Sequence, residues 1–171
     1  MTLKPAVYPS DHILGNSDAD LTIVEFGDYQ CPHCVAAHPI LKEMLHTFGS
    51  QIKFVFRNFP MQEIHPFARA AALAAEAAAL QGKFWEMHDA LLEHPSHLDQ
   101  RLLLKMAADM ALDTDQFASD MSLEKLAAKV DDDFESGMRS GVNGTPNFFI
   151  NGEKFHGGAM DLLSMIRENT Q

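Results

Sequence analysis

Strand-like runs occur only near the two ends of this chain, with a long helical stretch between them. Residues 21–26 (Leu-Thr-Ile-Val-Glu-Phe) are short, apolar and β-branched, which suits a strand covered on both faces. A helical pattern starts at Pro32, lines up Val35, Leu41, Leu45 and Phe48, and stops at Gly49. Pro32 suits the first helical turn, whereas Pro39 is expected to kink the helix. Residues 52–57 (Ile-Lys-Phe-Val-Phe-Arg) form a second strand-like run, so this part reads as a βαβ unit with a right-handed crossover. At the far end, residues 147–150, Asn151-Gly152 and residues 153–156 read as a hairpin with a type I′ turn. An amphipathic helix carrying Leu162, Leu163 and Ile166 follows.

The stretch between is helical throughout. Residues 66–81 are Ala-rich, with Phe67, Leu73 and Leu80 as large apolar positions. Residues 84–94 align Phe84, Met87 and Leu91, and residues 100–111 are rich in Leu and Met. Asp113 caps a short helix through Phe117 and Met121. A last stripe, Leu123, Leu126, Val130, Phe134 and Met138, runs to a stop near Gly141. These stripes are expected to face the core, with Met as a gap-filler. The expected organisation is one domain over 1–171. It comprises an irregular lead-in (1–18), a βαβ half (19–62), a helical insertion (63–141) and a ββα half (142–171).

Charge narrows the function. Across 171 residues the net charge is −11, the opposite of what nucleic acid or an anionic lipid surface selects. No run approaches the ~18 apolar residues of a membrane span. The opening residues Met-Thr-Leu-Lys-Pro-Ala-Val-Tyr carry no apolar core of a signal peptide. The expected location is therefore the cytoplasm as the sequence stands, or outside it if an export signal was trimmed. The Asp131-Asp132-Asp133 run reads as a solvated helix face.

Only two cysteines exist, in Cys31-Pro32-His33-Cys34, where the first strand hands over to the helix. A purely structural bridge is a poor reading, since closing so short a loop gains only roughly 2 kcal/mol. A metal site through Cys31, Cys34 and a histidine such as His33 or His38 lacks the second cysteine pair that structural zinc favours. A redox dithiol fits best. Cys31 lies at a helix N-terminus, where free N–H groups and the dipole favour a thiolate. It is the expected nucleophile, with Cys34 shielded in the first turn as the resolving thiol. His33 faces outward and can add a donor or a positive charge.

Two further positions draw attention. Glu25 is the odd residue of its strand. On a central strand it is buried, with a raised pKa, and can relay a proton to the inner thiol; on an edge strand it simply faces water. Gly144-Thr145-Pro146 precedes the second strand set. A trans turn is the plain reading. A cis Thr145–Pro146 bond would turn the Thr145 backbone towards the dithiol, ready to pair with an extended substrate.

These residues together resemble the DsbA-like branch of the thioredoxin superfamily. The resemblance rests on Glu-Phe-Gly-Asp-Tyr-Gln-Cys-Pro-His-Cys at 25–34, Pro39, Gly-Thr-Pro at 144–146 before Phe-Phe-Ile-Asn-Gly, and the helical block between. It implies an α/β thioredoxin fold with an inserted helical subdomain, and a buried acid at Glu25. It also implies a cis-proline at Pro146 preceded by a substrate-contacting Thr145. The lead-in Asp-His-Ile-Leu-Gly is more similar to free-standing DsbA-like proteins, and to thioredoxin domains attached to membrane transporters, than to DsbA proper.

The implied activity is thiol–disulfide exchange through Cys31, Cys34, Pro32 and His33, with no cofactor. Oxidation of substrate dithiols is the first expectation. A cytosolic thiol reductase or antioxidant protein is the alternative, and a Cys/His metal module the third. Expected partners are protein or small-molecule thiols and disulfides, plus one further redox protein. No nucleic acid and no dimerisation domain are expected, so the chain should act as a monomer.

Overall fold

The computed structural model describes residues 1–170. Five strands form one mixed sheet: β1 (His12–Gly15), β2 (Leu21–Gly27), β3 (Ile52–Asn58), β4 (Asn147–Ile150) and β5 (Glu153–Phe155), in the order β1-β3-β2-β4-β5. β2 and β3 are parallel, joined across α1 (Pro32–Phe48) and a short 3₁₀ turn. The other pairings are antiparallel. The hairpin turn has Asn151 at φ 47° and Gly152 at φ 85°, the two positive values a type I′ turn needs.

Five helices separate β3 from β4: α2 (Ala68–Leu80), α3 (Phe84–Glu93), α4 (Gln100–Asp109), α5 (Thr114–Asp120) and α6 (Glu124–Arg139). Asp113 caps α5 as expected, its carboxylate accepting from the Gln116 N–H. The chain ends in α7 (Ala159–Asn169). α1 runs through Pro39 as one helix.

Strand alternation divides the core in two. Ile23, Phe54, Phe56 and Phe148 face α1, α7 and the helical block. Val24, Phe26, Val55 and Phe149 face the other way, against Leu3, Phe59 and Val142, with Phe134 of α6 packed alongside. β2 is the central strand, so both its faces are covered and the apolar run needs no polar face.

Three expectations are corrected. The lead-in is not irregular: it holds β1, and Thr2 bridges to Glu153. What fastens it is Arg57, whose fully buried guanidinium donates to both oxygens of Asp11 and to the carbonyls of Pro5 and Ala6. Asp133 does not belong to a solvated face. It is buried, accepts from the Asn58 backbone and side-chain amides, and pairs with Lys129 at 2.7 Å. Met138 and Leu80, placed on core stripes by periodicity, are exposed.

Candidate active site

The first turn of α1 builds the centre of the site. Both cysteines are free thiols, and both are covered, with Cys31 3% and Cys34 2% exposed. Exposure therefore does not separate them; protonation does. The Cys34 thiol donates to the Cys31 sulfur, and the backbone N–H groups of Cys34 and His33 point at the same atom. Together these outweigh burial and bring the Cys31 pKa down to about 5. Cys34 is pushed the opposite way by the hydrogen bond it donates to Cys31, by burial and by the charge of Glu25. The pair holds one thiolate at neutral pH, on Cys31.

Glu25 lies on the central strand, in register between Phe56 and Phe148 and on the face that meets α1. It is buried, its Oε1 has no hydrogen-bond partner, and burial alone raises its pKa to about 8. It is thus mostly protonated at neutral pH, beside the thiol it opposes.

The Thr145–Pro146 peptide is cis, and the Thr145 carbonyl oxygen lies 3.5 Å from the Cys31 sulfur. Thr145 Oγ1 is buried without a hydrogen-bond partner of its own. His33 and Pro32 are exposed. His33 reaches the Cys31 sulfur through its backbone N–H, where a side-chain donor was expected.

Sequence reasoning passed over Asp28, which entered there only as part of the 25–34 motif. Its Oδ1 accepts from the Gln30 N–H at 2.7 Å and the Cys31 N–H at 3.1 Å. Its Oδ2 takes the Met61 N–H at 2.9 Å and His65 Nδ1 at 2.8 Å, and its own N–H donates to Cys34 Sγ at 3.5 Å. An Asp whose carboxylate caps the amides two and three residues on is a local turn signal, present in the sequence. The remaining anchors were not readable there. Tyr29 Oη meets His88 Nδ1 at 2.9 Å, and Gln30 Oε1 accepts from the Phe67 N–H at 2.8 Å. Residues 28–30 are thus held by the β3–α2 loop and by α3, and Cys31 inherits their position.

Asp28→Asn keeps one acceptor but turns an amide against the Met61 N–H and His65. We expect it to cost about 1–3 kcal/mol of stability, measured by urea unfolding. Unchanged stability would remove Asp28 from the supports of the Cys31 turn.

Beside this centre lies a groove of about 570 Å³ with apolar walls from Pro60, Met61, Ile64, Phe134 and Met138. It ends at Val142 and Asn143, next to the Thr145 loop. Among the described residues, the one cluster of His, Cys, Asp and Glu atoms close enough to share a metal is His38, His88 and Asp89, without either cysteine. A Cys/His metal site at the dithiol has no geometric support.

The family description "Thioredoxin" matches residues 8–166 of this geometry. The chain belongs to the thioredoxin family. Its structure resembles that of a thioredoxin-like oxidoreductase from Silicibacter pomeroyi, with 28% identity, a TM-score of 0.82, and coverage of 95% of this chain and 93% of that one. It also resembles the thiol-disulfide exchange protein alpha-DsbA2 from Wolbachia pipientis, with 25% identity, a TM-score of 0.83, and coverage of 94% and 86%. The helical block between β3 and β4, beside the Cys31–Cys34 pair, makes the fold DsbA-like. A relative described as "Na(+)/H(+) antiporter NhaA 1" from Salinispora arenicola is 43% identical over 147 residues. That match takes in 86% of this chain but only 22% of the relative's length. No helix among the described residues is long and apolar enough to cross a membrane.

Proposed function

We propose that this thioredoxin-family chain oxidises dithiols in extended polypeptides. The observation that carries the reading is the split between the two sulfurs: Cys31 held as a thiolate, Cys34 held protonated. A stabilised thiolate stabilises the reduced form, and a pair with a stable reduced form is an oxidant towards others.

In the oxidised protein a substrate thiolate attacks Cys31 Sγ. The Cys31–Cys34 bond breaks, and Cys34 leaves and takes up a proton, for which Glu25 is the buried donor. A second substrate thiolate then attacks the substrate sulfur of the mixed disulfide. Cys31 departs as a thiolate, made a good leaving group by its low pKa. The substrate loses two electrons and the pair gains them.

The Thr145 backbone lies beside the reacting sulfur and suits strand-like pairing with an extended chain. The groove lined by Met61, Ile64 and Met138 offers an apolar bed for its side chains. An oxidant of this kind works where glutathione does not keep thiols reduced, which favours a location outside the cytoplasm.

The direction is tested by mixing the oxidised protein with reduced, unfolded ribonuclease. We expect one substrate disulfide for each protein dithiol produced. No transfer, combined with insulin reduction as fast as thioredoxin's, would reverse the reading to a reductase.

A further inference from the structure

A second cluster of metal-binding groups lies away from the dithiol, between α1 and α3. His38 Nε2 stands 3.6 Å from Asp89 Oδ1, and a ring nitrogen of His88 completes a group within 4.8 Å. Glu93 Oε2 is 2.8 Å from His38 Nε2. The groups border a cavity of about 90 Å³, whose other walls include Leu41, Lys42 and Trp85. That is room for an ion and a water.

An ion-pair network accounts for part of this cluster. Lys42 Nζ reaches Glu93 at 3.0 Å and Asp89 at 3.5 Å, and His38 pairs with Glu93. The network does not account for His88. That side chain is 4% exposed and meets no carboxylate. Tyr29 Oη occupies its Nδ1, which leaves Nε2 without a hydrogen-bond partner among the described residues. A hydrogen bond at one ring nitrogen fixes the ring and leaves the other nitrogen to a ligand, the usual arrangement of a metal-bound histidine.

We propose that His38, His88 and Asp89 form a site for one divalent transition-metal ion of the zinc class, separate from the Cys31–Cys34 pair. Two imidazoles and a carboxylate are a zinc-type donor set that leaves the fourth position to water. Lys42 holds the two carboxylates in the ion-free state. It is half-exposed and can withdraw into solvent when a doubly charged ion replaces it. Tyr29 couples the site to the active-site turn, two residues before Cys31.

The test uses the full-length chain with Cys31→Ser and Cys34→Ser, so that no thiol competes. Zn²⁺ is titrated by equilibrium dialysis, and Co²⁺ is added as a spectroscopic probe. We expect one Zn²⁺ per chain, and Co²⁺ d–d bands without a thiolate charge-transfer band. Tyr29→Phe should weaken binding about 10-fold or more, the usual loss when an outer hydrogen bond to a ligand histidine is removed. Asp89→Asn should weaken it further, while Lys42→Met should tighten it. Asp89 and Lys42 are partly exposed, so these two variants keep the fold. No bound Zn²⁺ once the thiols are gone would overturn the proposal, as would an affinity indifferent to both Asp89→Asn and Lys42→Met.

Discussion

Cys31→Ser is expected to reduce thiol–disulfide turnover to background. No other group can take over. With Cys31 gone, burial and Glu25 still keep Cys34 protonated, and a thiol is not the attacking species. Cys34→Ala should behave differently. Cys31 still reacts with a substrate disulfide, but nothing resolves the product, so mixed disulfides accumulate. The same variant removes the largest contribution to the low Cys31 pKa, the Cys34 thiol donor. The pH profile of alkylation, with its midpoint near pH 5 in the parent protein, should therefore move to higher pH. Turnover in Cys31→Ser, or an alkylation midpoint in Cys34→Ala no higher than the parent's, would contradict the roles given to the two sulfurs.

Glu25→Gln is expected to flatten the pH dependence of stability in the oxidised protein, where Cys31 does not titrate. The carboxyl titrates at about 8 when folded against 4.5 as the ordinary value. An acid with a raised folded pKa binds its proton more tightly in the native state. The native state therefore loses stability relative to the unfolded chain as pH rises from about 5, and the loss levels off above about 8. Between pH 5 and 9 this amounts to about 4 kcal/mol. Glutamine occupies the same space and does not titrate, so that slope should vanish. Urea unfolding at a series of pH values measures it. An equal slope in the variant would mean that Glu25 is solvated in the native protein.

Much of the sheet was legible because its signals are local. The apolar run at 21–26, the Asn151-Gly152 turn and the Gly49 stop each depend on neighbours within a few residues. The same holds for the Cys-Pro-His-Cys turn at the start of α1. What sequence reading missed depends on partners far along the chain. β1 is too short and polar to announce itself, and becomes a strand because β3 offers an edge and Arg57 needs the Asp11 carboxylate. Asp133 looks like one of three solvated acids until α6 is laid against β3, where only that position faces Asn58. Met138 keeps the helical period of its stripe but overshoots the core and becomes a groove wall. At the site, both cysteines, Glu25, Thr145 and Pro146 were named from sequence, and the structure brings them together. The supports of the Cys31 turn from Met61, His65, Phe67 and His88 needed the fold.

The reduction potential of the Cys31–Cys34 pair, measured by equilibration with glutathione buffers, tests the central claim most directly. Stabilisation of the Cys31 thiolate predicts an oxidising pair, near the value of about −120 mV known for DsbA and well above the roughly −270 mV of thioredoxin. A value of about −250 mV or below would mean that the thiolate is not preferentially stabilised in the reduced protein. The oxidising direction would then be contradicted.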